Sequence, residues 1–260
     1  MTKLLLIGIR ACRVLFLLLS ASVDFIFRLW LPGKTSSIQA RAEWMQPWAV
    51  RFLHALGVNV QYRGKPPARG ILVANHLSYI DVLVLGSIRP LVFLSKSEVR
   101  SWPLIGLLTR FAGTLFIKRE QKSDVVRLGG EMAPVVEAGM VVVLFLEGTS
   151  SDGQTVLPFR SSLLAPAAEH GWPATGAWLH YELPGGSAAD DVCYWGDMNF
   201  GSHVLNLLSK NGIQAFVSFG SPVSDGLDRK EMARALHAQV CGLKDEYLAG
   251  TQVREGSASS

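Results

Sequence analysis

The sequence predicts an α/β fold: a central, mostly parallel sheet covered by helices, preceded by an N-terminal helical segment that meets a membrane. Three features predict it. Short, continuously apolar runs such as VVVLFL (Val141 to Leu146) alternate with stretches of helical period, which indicates a sheet buried on both faces. Hydrophobic residues make up 49% of the 260 and charged residues only 18%, against roughly 25% in ordinary soluble domains. The mean hydropathy is +0.26, and much of the surplus gathers in residues 4 to 31.

Arg10, Arg13, Asp24 and Arg28 interrupt that first segment, leaving Val14 to Val23 as its longest uncharged stretch. As a helix this is too short to cross about 30 Å of hydrocarbon. The pattern instead predicts a retained helix lying in the interface, with its arginines turned to anionic headgroups and Trp30 near the boundary. Asp24 and Arg28 are spaced to pair across one turn. A tilted span, a signal peptide cut near Ser20-Ala21-Ser22, and an amphipathic helix packed on the protein's own core are the alternatives.

LPGKTSS (Leu31 to Ser37) reads as a turn-rich linker, so anchor and linker occupy residues 1–37. Glu43 to Leu56 has helical period and stops at Gly57. Candidate strands follow at Ile71 to Ala74, Leu91 to Leu94, Thr114 to Ile117, Val141 to Leu146, Gly176 to Tyr181, Val192 to Trp195 and Ile213 to Phe219. Between them lie candidate helices at Ile80 to Ser87, Leu104 to Phe111, Val125 to Ala138, Ser162 to His170, Val204 to Lys210 and Arg229 to Leu248. One domain spanning 38–249 accounts for these elements. Residues 250–260 have no apolar period and are expected to form a disordered tail.

Net charge is +4 and the pI about 9.0, but the basic residues are scattered, which excludes the dense runs of a nucleic-acid binder. An anionic membrane surface or an anionic substrate explains the balance. Cys12, Cys193 and Cys241 are far apart with no CxxC, which fits a reduced compartment. His54, His76, His170, His180, His203 and His237 form no HxxxH or HExxH pair, so no metal site is expected.

Four stretches carry candidate chemistry. In NHLSYID (Asn75 to Asp81) a histidine precedes an aspartate by five positions. On a continuous helix these would point about 140° apart. They meet if Asn75 to Ser78 form a turn and the helix starts near Tyr79, with Ser78 as N-cap and Asp81 in the first turn. The carboxylate would then fix the His76 tautomer and leave the other ring nitrogen free as a base. Alone, the pair is weak evidence, because such spacing arises by chance in roughly a quarter to a third of chains with this many histidines. VLFLEGTSSDG (Val143 to Gly153) ends a buried strand with Glu147, Gly148 and Thr149 at the same sheet edge, or is an ordinary strand-end turn. TLFIKR ends in Lys118 and Arg119, suited to an anionic group or simply solvated. In LPFRSSLLAPA, Pro158 fixes the chain ahead of a helical run.

In this order, NHxSYxD, GTLFIKR, FLEGTSSDG and LPFRSSLLAPA resemble the four blocks of the glycerolipid acyltransferase superfamily, typified by 1-acylglycerol-3-phosphate acyltransferase, over roughly residues 45 to 220. The resemblance implies a glycerol-3-phosphate acyltransferase-like fold and transfer of an acyl chain from acyl-CoA or acyl-carrier protein to a lysolipid hydroxyl, with no cofactor. It implies His76 as general base and Asp81 as its support, with no enzyme nucleophile. Asn75 and Ser78, in the first block, are expected to take part in substrate binding. Arg119, with Lys118, would hold the acceptor headgroup; Glu147, Gly148, Thr149 and Ser150 would line the acceptor site, and Pro158 falls in the segment associated with the donor.

Two departures stand out. The third block usually reads FPEGTRS, whereas here Leu146 replaces proline and Ser150 replaces an arginine. A serine donates one neutral hydrogen bond and cannot neutralise a dianion. EGTSSDG, followed by CYWGDM (Cys193 to Met198), resembles the lyso-ornithine lipid acyltransferase branch. The expected acceptor is lysophosphatidic acid, with lyso-ornithine lipid or another lysolipid as the alternative. The expected location is the cytoplasmic face of the inner membrane, held peripherally or monotopically. A serine hydrolase would need GxSxG, which is absent. A lipid-binding protein without chemistry is the non-enzymatic rival.

Overall fold

A computed structural model describes residues 3–102, 105–117, 122–223 and 226–258. Helix α1 (Lys3–Phe25) runs on through a π turn at Ile26–Trp30 and is followed by α2 (Ile38–Leu56). The sheet and its connections follow in the order β1 (Val58–Arg63), β2 (Gly70–Ala74), α3 (Asp81–Ile88), β3 (Val92–Lys96), α4 (Ile105–Phe111) and β4 (Leu115–Ile117). Next come α5 (Lys122–Glu137), β5 (Val141–Leu144), α6 (Ala165–His170), β6 (Ala174–Glu182), α7 (Ala188–Asp191), α8 (Phe200–Leu208), β7 (Ile213–Pro222) and α9 (Arg229–Ala258).

The strand order is β1-β7-β6-β2-β5-β3-β4, parallel throughout except for the β6/β7 pair. The parallel, doubly covered sheet is therefore as expected. Its strands feed both faces alternately: Leu72, Val141, Val143 and Leu179 pack towards α1, α2, α3 and α8, and Ile71, Val73, Val142 and Leu144 towards α5, α6 and α9. The chain crosses from β5 over β2 to β6, so β2 lies where the direction of winding reverses. In open α/β sheets the crevice at the carboxyl ends of such strands is where sites are built.

Four expectations need correction. Val192 to Trp195 is not a strand, because the N–H groups of Val192 and Cys193 donate to Ala188 O (3.0 and 2.9 Å) and that of Tyr194 to Leu77 O (2.8 Å), leaving nothing for a ladder. A strand not foreseen, β1, pairs instead at the sheet edge with β7. α9 continues through residues 250–258, where a disordered tail is expected: once nucleated, a helix adds one bond per residue without needing an apolar stripe. Ser78 is not the N-cap of α3, since Ile80 stands there without a side-chain cap bond.

The N-terminal helix is only partly as expected. Asp24 and Arg28 do pair, at 3.3 Å, and the indole N–H groups of Trp44 and Trp48 both donate to Asp24 Oδ2 at 3.0 Å. Arg10, expected to face lipid headgroups, is instead buried. Its guanidinium donates to Leu208 O (3.2 Å), Lys210 O and Asn211 Oδ1 (3.0 Å) at the carboxyl end of α8, where the helix dipole favours a cation. Gly57, the left-handed cap of α2 (φ 73°), makes room for it: a Cβ there would sit 2.1 Å from Arg10 Nη2. Ala21, Phe25 and Leu29 are buried, with Phe25 stacked on Phe111 at 3.9 Å, while Leu4, Phe16, Leu19, Phe27 and Trp30 are exposed.

Candidate active site

The site begins where β2 ends. Residues 75–78 leave the strand as an irregular turn and α3 starts at Asp81, the arrangement in which His76 and Asp81 can meet. They do: His76 Nδ1 lies 2.8 Å from Asp81 Oδ2. The same oxygen accepts the backbone N–H groups of Leu77 (2.7 Å) and Ser78 (3.0 Å), and Oδ1 accepts the hydroxyl of Tyr181 at 2.6 Å. Asp81 is fully buried, and four donors converge on it, so its charge is matched entirely by hydrogen bonds. A carboxylate facing Nδ1 makes that nitrogen the N–H and leaves Nε2 with its lone pair. Nε2 has no hydrogen-bond partner among the described residues, and the ring, a quarter exposed, stacks on Phe145 at 4.2 Å.

Glu147 joins from the end of β5. Its Oε2 accepts the His76 N–H (2.9 Å) and its Oε1 the Leu157 N–H (2.9 Å), so the carboxylate ties the His76 turn to the segment that leads into Pro158. Burial pushes Glu147 up to about 7, against the pull of those two backbone donors. Gly148 follows in the left-handed region (φ 81°), and the exposed guanidinium of Arg160 lies over it, about where a Cβ would be met at 3.1 Å. Ser151 N–H donates to His76 O (2.9 Å), and the Ser150 hydroxyl is bonded to Tyr194 O, which draws the 193–199 loop onto the same turn.

The arrangement offers one basic ring nitrogen, held in a fixed tautomer at a partly open sheet edge. That is the equipment to take a proton from a hydroxyl. A nucleophilic serine held by the ring is absent among the described residues.

Comparison with known proteins identifies the family. An acyltransferase family profile matches residues 57–179. A lyso-ornithine lipid O-acyltransferase of Pseudomonas aeruginosa is 35% identical over 259 residues, 98% of either chain. This chain belongs to the acyltransferase family. A lyso-ornithine lipid O-acyltransferase of Rhizobium meliloti is 31% identical over 224 residues, covering 78% of this chain and 77% of the other. A 1-acyl-sn-glycerol-3-phosphate acyltransferase of Neisseria gonorrhoeae is 31% identical over 127 residues, 48% of this chain and 50% of the other. The crystal structure of the 1-acyl-sn-glycerophosphate acyltransferase of Thermotoga maritima shares the fold, with a TM-score of 0.60 and 18% identity over 92% of this chain and 98% of that one. The protein is thus an enzyme, an acyltransferase acting on lysolipids.

Within this acyltransferase the residues singled out from sequence divide by what they touch. His76, Asp81, Glu147 and Gly148 form one cluster, with Ser150 at its rim and Thr149 exposed beside it. The Asn75 side-chain amide donates to Leu179 O (3.0 Å) and accepts from Leu179 N–H (2.7 Å), clamping β2 to β6. Ser78 is buried, and its hydroxyl has no partner among the described residues. Pro158 is exposed, one residue beyond the Leu157 contact. Lys118 and Arg119 lie outside the described residues, but β4, which leads into them, ends at the same sheet edge.

Sequence reasoning missed Tyr181 and Arg160. Tyr181 comes from a strand 100 positions from Asp81, and no local motif marks it. Arg160 stands inside the fourth block, where its charge two residues after Pro158 was the available signal.

Proposed function

We propose that the enzyme moves an acyl chain from acyl-CoA or acyl-carrier protein to the free hydroxyl of a lysolipid, with His76 as general base and Asp81 holding its tautomer. The observation that carries this reading is the Nδ1–Asp81 bond on a partly exposed ring whose Nε2 has no hydrogen-bond partner among the described residues. Nε2 takes the hydroxyl proton as the acceptor oxygen attacks the thioester carbonyl. The tetrahedral intermediate collapses with loss of the thiolate, and the imidazolium returns the proton to that sulfur. Ester and free thiol leave, and the ring is restored. Asp81 stabilises the transient imidazolium, and a positioned base of this kind contributes roughly 10²- to 10⁴-fold.

For the acceptor we favour a lyso-ornithine lipid over lysophosphatidic acid, reversing the expectation from sequence. Ser150, in place of the usual arginine, is neutral and committed to Tyr194 O. Among the described residues the cation laid over the loop is Arg160, whose guanidinium suits a monovalent carboxylate such as that of an amino-acid headgroup. The relatives aligned over most of this chain are lyso-ornithine lipid acyltransferases. Lysophosphatidic acid stays as the second reading because the strand before Lys118 and Arg119 ends at this edge.

The exposed apolar side of α1 supports a monotopic attachment to the cytoplasmic leaflet. By length and composition the 28 residues Lys3–Trp30 suffice to cross a membrane, but crossing would pull Arg10 from its carbonyl partners. The deciding assay offers labelled acyl-CoA and acyl-carrier protein with both lysolipids side by side, using His76→Ala as the blank. Product formation in that blank at the wild-type rate would end the base reading, and a preference for lysophosphatidic acid would end the headgroup reading.

A further inference from the structure

Tyr181 is wholly buried on β6, and its hydroxyl donates to the one oxygen of Asp81 that neither His76 nor the turn engages. At 2.6 Å to a carboxylate this is a short, charge-assisted bond. The placement is built rather than incidental. Asn75, at the end of β2, clamps Leu179 through both its amide groups, and Tyr181 stands two residues further along the same strand. The clamp fixes β6 against the His76 turn, so the phenol reaches Asp81 without rotational freedom.

We propose that Tyr181 is a positioning residue for acyl transfer: it locks the plane of the Asp81 carboxylate and withdraws part of its charge, setting how tightly His76 Nδ1–H is held and how readily Nε2 accepts the substrate proton. The inference rests on His76 as the base. Burial and the Asp81 charge hold the Tyr181 proton on well beyond the ordinary phenol range, so it acts as a fixed donor. The other titratable groups facing this pair are Glu147 at the β5 end, Tyr79 in the turn before α3, and Cys193 in the loop after α7. Burial keeps the phenol of Tyr79 and the thiol of Cys193 protonated past neutrality, and Glu147 is common to every variant compared.

The sign follows from charge. Without its donor, Asp81 keeps more negative charge and favours the imidazolium, so the free base appears only at higher pH. In Tyr181→Phe the acidic limb of kcat/KM moves to higher pH by about one unit, roughly a tenfold loss on the acidic side, while KM for the lysolipid is unchanged. Replacing Tyr181 site-specifically with 3-fluorotyrosine makes a stronger donor of nearly the same shape, and the limb moves the other way. A merely structural tyrosine lowers thermal stability and leaves both limbs in place.

The test is the pH profile of both variants beside wild type, with His76→Ala as control. Opposite shifts are the expected result. Superimposed limbs, or shifts of one sign, overturn the proposal even if Tyr181→Phe folds poorly, since the fluorinated variant retains the bond. Activity surviving in His76→Ala would instead overturn the base reading itself.

Discussion

Asp81→Asn removes one charge from the centre of the site and almost nothing else. The amide oxygen can take the place of Oδ2, which accepts His76 Nδ1–H at 2.8 Å and two backbone N–H groups at 2.7 and 3.0 Å. The amide nitrogen then faces the Tyr181 hydroxyl, which can turn and accept. What is lost is the attraction between the carboxylate and the imidazolium formed in the transition state. With charge centres about 4 Å apart and an effective dielectric of about 20, that attraction is about 4 kcal/mol. At 1.36 kcal/mol per decade it corresponds to about a 10³-fold lower kcat. The assay is acyl transfer at saturating donor and acceptor, with the melting temperature as a check on folding. KM should stay within a few-fold, because Asp81 touches no ligand-facing surface. A folded Asp81→Asn enzyme retaining more than about a tenth of wild-type kcat would refute the electrostatic role assigned to the carboxylate.

Glu147 should leave a signature in stability rather than rate. Its pKa is raised, so its contribution is fully present below the ordinary carboxylate value of 4.5 and is lost as pH rises through about 7, a change of about 3 kcal/mol. Denaturant titrations of wild type minus Glu147→Gln between pH 5 and pH 8 should show that slope, and a flat difference would contradict the burial argument. Arg10→Ala strands the buried Leu208 carbonyl at the end of α8 and should cost on the order of 1 to 3 kcal/mol, read as faster hydrogen exchange in α1 and the 208–211 segment; unchanged protection would count against the docking. Arg160→Ala should raise KM for the lysolipid at least tenfold with kcat little changed, and an unaffected KM would remove Arg160 from the headgroup site. Phe16→Glu with Leu19→Glu should cut recovery of the enzyme on floated anionic liposomes, and full recovery would place the membrane contact elsewhere.

The core of the sheet was legible because its strands are buried on both faces and so are apolar without interruption, as in Ile71 to Ala74 and Val141 to Leu144. The edge strand β1 was not, because in VNVQYR only Val58 is buried and Gln61, Tyr62 and Arg63 are exposed in succession, so the continuous apolar run that marks a central strand is missing. Val192 to Trp195 misled for the converse reason: Val192 and Cys193 are buried by the turn they cap, and burial without a ladder looks like a strand. In the site, the spacing of His76 and Asp81 could be solved as a local geometry problem. Tyr181 and the two-way clamp of Asn75 on Leu179 depend on which strand lies beside β2, a matter of topology on which five adjacent letters are silent. Arg10 was not placed by the sequence because an arginine in a greasy helix has two solutions, lipid headgroups or a helix carboxyl terminus, and only the fold supplies the second.

The N-terminal helix and His76 are linked through one continuous stack. Asp24, on α1, is bound by the two indoles of α2. α2 in turn packs against α3 so closely that a Cβ on Gly86 would meet Met45 Cε at 3.0 Å. α3 opens with Asp81, whose carboxylate holds His76. None of these joints is a flexible loop; each is helix on helix or side chain on side chain, and packed interfaces of this kind transmit displacement instead of absorbing it. On the proposed reading, the height of Nε2 above the lipid-facing residues Phe16 and Phe27 is therefore set by the thickness of two helices. The buried Arg10, remote from the chemistry, adds a second joint to the same stack, since its bonds to Leu208 O and Asn211 Oδ1 pin α1 to the end of α8.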